Sequence, residues 1–461
     1  MNVLTFHKYL IITMPKTTNR AAKKGRHNPV LEVDDAEYVK NEEKYLRMEP
    51  DKGVKKTKDK KLRAKLIKQE MQAREAAKAA ARAEMLLHEE SGYLEAEGIE
   101  NTHYFSQEKL KKEVDVNTAS KMFSLELPEH GPYRIDYTRN GRHLLIGGHK
   151  GHLAAFDWQT GGLHFEMNVN ETVRDVTWLH NEQMLAVAQK KYVYIYDKTG
   201  LEIHRLKNHL NVDRLEFLPY HYLLTSIGSS GFLKYQDTST GQLVKEIRTG
   251  LGPCSTMTQN RHNAVIHLGH NNGTVTLWSP SMHQPLVKML CHRGPVRAVA
   301  VDKGGYYMAT AGTDGQLKIW DIRKYGVLQE YFTPRAANCL DISDTGLLSV
   351  GINTTVQVWK DAFKTKQTTP YMTHLEEGSP IIDSKFVPFE DVLGIGHQKG
   401  IASLVIPGSG QANFDSLEAN PYQTKKQRQE AEVHSLLDKL QPDMIVLDPT
   451  TLGKLNRKSK K

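Results

Sequence analysis

Residues Ala311–Asp321 read AGTDGQLKIWD. Asp314-Gly315 is a dipeptide that supplies positive φ, so it predicts a tight two-residue turn. Leu317 and Ile319 alternate with Lys318 and Trp320 at the period of a pleated strand. The stretch therefore predicts strand, turn, strand. Its Gly-x5-Asp frame recurs along the chain in GHKGHLAAFDWQTG, QKKYVYIYDKTG, GSSGFLKYQDTSTG, GHNNGTVTLWSPS, GINTTVQVWKDAF and GHQKGIASLVIPGSG. The Trp-Asp place is taken in turn by Phe156-Asp157, Tyr196-Asp197, Gln236-Asp237, Trp278-Ser279, Trp320-Asp321, Trp359-Lys360 and Val405-Ile406, spaced 40, 40, 42, 42, 39 and 46 residues apart. A fixed period of this size marks a repeat architecture.

Each copy is preceded by a second pair of strand signals, as in PVRAVAVDKGGYYMATAG. Roughly 40 residues with about four short strands make one propeller blade, and a blade buries both faces only when neighbours stack on it. Seven copies predict an all-β, seven-bladed ring. MFSLELPEHG, Met122–Gly131, is strand-like yet precedes the first copy. Its expected place is the outer strand of the seventh blade, where it removes a free edge.

These residues resemble the WD-repeat family. That resemblance implies a hydrogen-bonded tetrad of His292, Thr310, Asp314 and Trp320 in the fifth blade, structural in role; the other copies depart from the pattern. Three Gly-His pairs, Gly148-His149, Gly269-His270 and Gly396-His397, fall at one place in three different blades. Spread around a ring, they cannot converge on one ion at distances near 2 Å, so they are expected to be turn residues and no metal is assigned.

With 39% hydrophobic and 25% charged residues, the composition is that of a soluble protein with some non-globular material. No apolar run reaches the 18 or so residues of a membrane span. Lys8 and His7 interrupt MNVLTFHKYLIITM and no small-residue cleavage site follows, so a secretory signal is not expected; the leader is assigned to start-site choice, Met1 or Met14. Cys254, Cys291 and Cys339 lie in apolar strand-like surroundings without paired spacing, which predicts buried thiols in a reducing compartment. Phosphate-cradle, zinc-protease and nucleophile-elbow motifs are absent, and GLGPCS (Gly250–Ser255) fails the dinucleotide spacing. Neither a cofactor nor a small-molecule substrate is expected, and the chain reads as a non-enzyme.

The net charge of +9 is unevenly placed. Residues 122–420 hold 28 basic and 28 acidic side chains, whereas Lys52–Arg82 holds 12 basic and 3 acidic. The expected organisation is a largely extended tail over 1–50, a basic helical extension over 51–121, the propeller over 122–410 and a C-terminal extension over 411–461. Strong helix formers predict a long helix from about Lys56 to Glu90, with Leu62, Leu66, Ile67 and Met71 too sparse for a large buried face. The arm carries candidate phosphate contacts Lys55, Lys56, Lys58, Lys60, Lys61, Arg63, Lys65 and Lys68; the tail adds Lys425, Lys426, Arg428, Arg457, Lys458, Lys460 and Lys461. Neutralising six phosphates gives a log-log salt slope of about −4 to −5. With hardly an aromatic in the arm, its binding would use charge and shape, not base stacking.

The C-terminal block EANPYQTKKQRQEAEVHSLLDKLQPDMIVLDP, Glu418–Pro449, predicts an extended start, then a helix from about Thr424 to Leu440 stopped by Pro442. Its apolar face of Val433, Leu436, Leu437 and Leu440 calls for a partner surface, and MIVLDP for an edge strand. This block, with the seven degenerate repeats and the basic arm, is similar to the U3 small nucleolar RNA-associated protein 7 family, also called the WD repeat-containing protein 46 family. The resemblance covers the chain from about Asn28 onward. It implies a nucleolar scaffold of the small-subunit processome, needed for 18S precursor processing, with other processome proteins, pre-rRNA and U3 small nucleolar RNA as partners. Two rival readings fit generic repeats. WDIR, Trp320–Arg323, matches a pattern by which substrate receptors of cullin-type ubiquitin ligases dock an adaptor. A reader of histone tails or acidic peptides would need charge asymmetry inside the ring, against the 28-to-28 balance.

Overall fold

In the computed structural model, residues 59–86, 91–96, 100–414 and 419–449 are described. They fall into two units, residues 1–88 and 89–461. The first contains helix α1, Lys60–Leu86. The second is built of seven four-stranded antiparallel sheets.

The first sheet joins β2 (Tyr133–Tyr137), β3 (His143–Gly148), β4 (His152–Asp157) and β5 (Gly162–Asn168), paired in that order. The next five repeat it: β6 (Val173–Trp178) to β9 (Glu202–Leu210), β10 (Val212–Leu218) to β13 (Leu243–Arg248), β14 (Cys254–Gln259) to β17 (Val287–Leu290), β18 (Val296–Val301) to β21 (Gly326–Phe332), and β22 (Cys339–Ile342) to β25 (Met372–Leu375). The seventh holds β26 (Ile381–Phe386), β27 (Val392–His397) and β28 (Gly400–Val405), and its fourth strand is β1, Ser124–Glu126, from the N-terminal side of the first blade. Ser124 pairs with Ala402, Leu125 with Ile401 and Glu126 with Gly400. The innermost strands lie each against the next, and β26 lies against β2, so the ring is closed. The seven blades and the closing strand are those read from the sequence.

Burial follows strand position. The second and third strands lie between neighbouring blades, and β3, β11 (Leu223–Gly228), β15 (Ile266–His270) and β27 are buried at every residue. Outer strands such as β5 and β9 are largely exposed. Leu145, Leu153, Leu185 and Val187 in one inter-blade cluster are fully buried; each such side chain contributes about 1.5–3 kcal/mol by leaving water. The three cysteines are buried and free, and burial pushes each thiol up to about 12.

Residues from 91 onward belong to the propeller unit. Leu94 N donates to Tyr371 Oη (3.0 Å), α2 (Gln107–Glu113) buries Leu110 beside the sixth and seventh blades, and Gln107 exchanges two 3.0 Å hydrogen bonds with the Val405 backbone. After α3 (Val116–Ser120), Lys121 pairs with Glu390 and the chain enters β1.

Candidate nucleic-acid interface

Helix α1 starts at Asp59, whose carboxylate accepts from Lys61 N (2.8 Å), the usual cap of an unpaired first-turn N–H. Lys60, Lys61, Arg63, Lys65 and Lys68 are exposed, with no ion pair to a carboxylate among the described residues. At about 100° per residue these five cations spread over more than half the circumference, so the helix offers charge in most directions. Leu62, Ile67 and Met71 are also exposed. Lys55, Lys56, Lys58, Arg457, Lys458, Lys460 and Lys461 lie outside the described residues.

The C-terminal segment departs from its expected role. Thr424 caps helix α4, Lys425–Leu437, in a capping box with Gln427. Yet the expected apolar face points to solvent: Val433, Leu436 and Leu440 are exposed, and Leu437 is 77% exposed. The polar stripe Arg428, Glu432, Ser435, Lys439, spaced four, three and four apart, meets the ring instead. Arg428 pairs with Glu182, Glu432 accepts from Asn181 Nδ2 (3.4 Å) and lies 3.1 Å from His180 Nε2, Ser435 bonds Tyr222, and Lys439 pairs with Asp237. Burial pushes the Asp237 carboxyl up, but Lys439 and Ser239 outweigh it and hold it below the usual carboxylate range. Polar turn residues line this rim, so a polar stripe is what complements it.

Upstream, Arg142 Nη1 donates to Pro421 O (3.0 Å). Downstream, Leu440 N donates to Tyr220 O (3.0 Å), Ser279 Oγ to Ile445 O (2.6 Å) and Asn263 Nδ2 to Leu447 O (3.0 Å). Ile445 is buried in the core that runs from the third to the fifth blade. MIVLDP therefore follows a 3-10 turn, Pro442–Met444, as a buried anchor, not an edge strand. The segment 419–449 is a strap across the loops that join first to second and third to fourth strands in blades one to four. Arg428 is spent on Glu182, whereas Lys425 and Lys426 remain exposed.

In the fifth blade Trp320 Nε1 donates to Thr310 Oγ1 (3.0 Å), Thr310 Oγ1 lies 2.9 Å from His292 Nε2, and His292 Nδ1 lies 3.1 Å from Asp314. A carboxylate accepts only, so Nδ1 carries the proton and the Thr310 hydroxyl donates to Nε2. Burial lowers the His292 pKa although Asp314 opposes it. The turn differs from its expected form: only Gly315 has positive φ (+72°), and Thr313, Asp314 and Gly315 form a three-residue loop because Asp314 is held by Gln316 N and His292. A variant missed in the sequence joins the second blade to the third: His209, near the end of β9, lies between Ser226 and Gln236 at 2.6 Å each. Its spacing, 17 and 10 residues against 18 and 10, was the available signal; Gln in the tryptophan place hid it.

Arg323 is held in its own hairpin, bidentate on Asp321 (3.1 and 3.2 Å) and stacked on Tyr306. His149, His270 and His397 lie at the strand ends and turns of blades one, four and seven; His270 Nε2 meets Thr276 Oγ1 at 2.7 Å, and His397 Nδ1 accepts from Lys399 N at 3.3 Å.

A charged channel lining also escaped the sequence reading. Carboxylates on inner strands staple the next blade: Asp136 accepts from Trp178 N (2.8 Å), Asp175 from Leu215 N (2.8 Å), Asp341 from Phe386 N (2.6 Å) and Asp383 from Ile135 N (3.4 Å). Glu216 accepts from Gln259 Nε2 (3.1 Å). Burial pushes Glu216 up to about 7 and Asp341 up to about 6. Burial would lower the Lys385 pKa, but Glu216, Asp136, Asp341 and Asp383 together hold it above the ordinary lysine value.

Residues 100–332 match the Nucleolar protein 10-like N-terminal domain and residues 370–448 the BING4CT (NUC141) domain. The chain is 52% identical over 420 residues to U3 small nucleolar RNA-associated protein 7 of Saccharomyces cerevisiae, covering 87% of this chain and 76% of that protein. It is 48% identical over 400 residues to WD repeat-containing protein 46 of Homo sapiens, covering 86% of this chain and 65% of that protein. The Caenorhabditis elegans protein of the same name is 47% identical over 380 residues, with 82% and 65% covered. The chain thus spans about two thirds of the length of these animal relatives. Ring, strap and sequence agree, and the chain belongs to the family of U3 small nucleolar RNA-associated protein 7 and WD repeat-containing protein 46.

Proposed function

We propose that this protein is a non-enzymatic scaffold subunit of the small-subunit processome, working in the nucleolus in 18S precursor processing and small-subunit assembly. The observation that carries the reading is the 52% identity to a protein named for association with U3 small nucleolar RNA. The ring supplies fixed surfaces for other processome proteins. The exposed cations of α1 supply a phosphate-binding arm for pre-rRNA or U3 RNA, acting through charge. The strap belongs with the ring, so the division of labour is between α1 and the rest. Ultraviolet crosslinking of the intact chain and of a chain lacking residues 52–82 tests this. Reduced pre-rRNA crosslinking with retained sedimentation in large pre-ribosomal particles is expected; unchanged crosslinks would exclude the arm.

A further inference from the structure

The strap crosses one rim of the ring. The opposite rim is formed by the loops between blades and by the turns joining second to third strands. Its sector over blades four to six has three connected loops: Thr313 N donates to Pro295 O (3.0 Å), Thr333 N to Gly315 O (2.8 Å), and Thr333 Oγ1 to Arg335 O (2.7 Å). Around them stand Arg293, Arg297 and Arg335, all exposed and without a carboxylate partner among the described residues. The sole carboxylate in these loops, Asp314, is committed to His292, Gln316 N and Arg293 N.

Arg297 has a further distinction. The pairing of β18 with β19 (Tyr307–Gly312) shifts between Val296 and Ala298, so Arg297 is the extra residue of a β-bulge on an innermost strand. Bulges re-aim a side chain and are enriched beside functional sites. Corresponding shifts fall at Arg174, Asp213, Ser255 and Ile382. Arg174 and Asp213 neutralise each other at 3.0 Å, whereas Arg297 is left uncompensated. Phe332, at the rim end of β21, is 77% exposed and one residue from Thr333. Guanidiniums and an open aromatic face on one rim are the two elements by which proteins hold single-stranded nucleic acid, phosphates on the cations and a base on the ring.

We propose that Arg293, Arg297, Arg335 and Phe332 form a single-stranded RNA-binding site on the rim opposite the strap, separate from α1. The site deepens the proposed function and rests on it for the choice of RNA; an acidic peptide would use the cations but gain less from the ring of Phe332.

The test uses the full chain, a fluorescent 12-nucleotide oligouridine and salt titrations of binding anisotropy. Changing Arg293, Arg297 and Arg335 to Gln should make the log-log salt slope shallower by about 2, at ~0.7 per phosphate contact on a single strand. Phe332→Ala should weaken binding about five- to 150-fold, the range for one stacked base, and abolish a photocrosslink to the peptide containing Phe332. Unchanged thermal melting of these surface variants shows that the ring is intact. A parallel variant changes Lys60, Lys61, Arg63, Lys65 and Lys68 to Gln. Rim variants that bind as the parent does, while the arm variant fails, overturn the rim site and leave the arm standing. The reverse pattern upholds the rim and removes the arm. Binding of a 12-residue polyglutamate at the rim with no binding of oligouridine overturns the RNA assignment in favour of an acidic protein partner.

Discussion

The tetrad of the fifth blade links the loop before β18, the strand β19 and the indole of Trp320 through one hydroxyl, that of Thr310. Removing the imidazole leaves buried partners unsatisfied, which costs about 1–3 kcal/mol per group. His292→Ala is therefore expected to lower the unfolding free energy by that order, read as a lower urea midpoint with little change in slope. His209→Ala should act likewise in the third blade, where Ser226 and Gln236 lose their shared partner. An unaffected His209→Ala variant would show that the Gln-containing version adds nothing. Glu216 allows a pH test. Its carboxyl is ordinary near 4.5 when unfolded and is pushed up to about 7 in the ring. The stability it contributes is thus fully present below pH 4.5 and lost as pH rises through 7. Glu216→Gln should remove that loss, so the parent declines relative to the variant between pH 4.5 and 7; parallel urea midpoints across this window would refute the assignment.

At the scale of elements, α4 inverts the usual reading of an amphipathic helix. Such a helix normally turns its apolar stripe inward because burial of apolar area dominates. Here the receiving surface is a row of polar turns, and the apolar contact is made further along, by Ile445. Ile445→Ala should cost about 2–5 kcal/mol if the strap behaves as part of the core, and less if it detaches first. Hydrogen exchange at residues 419–449 distinguishes the two: selective acceleration there, with blades unchanged, reports local release. The helix boundaries were close to legible, Lys425–Leu437 against 424–440, because Thr424 and Pro442 are local signals. Which face turned inward was not, since that depends on loops roughly 200 residues away in sequence. The same holds for Arg428, whose partner Glu182 no local pattern reveals.

At the scale of the molecule, one short strand decides closure. β1 has three residues, yet it completes the seventh sheet and joins the segment before the ring to its end. Gly400 faces it at φ +155°, and a Cβ there would lie 1.9 Å from Leu125 O. Gly400→Val should break this pairing, lower the melting temperature and expose residues 122–131 to protease. Melting and cleavage like the parent's would mean that the ring does not depend on this strand.

The repeat period, the number of blades and the identity of the closing strand were determined by the sequence alone, because strand alternation and turn chemistry act over a few residues and repeat. So was the confinement of excess charge to the ends. Only the tertiary structure decided how charge is placed within the neutral ring. Asp136, Glu216, Asp341 and Lys385 come from four blades and meet in the channel, while Arg293, Arg297 and Arg335 gather on one rim. A net count cannot reveal such a partition, because closing the ring brings together inner-strand side chains that the chain itself keeps more than 40 residues apart, and stacking of neighbouring blades sets Arg335 on the same rim as Arg293 and Arg297.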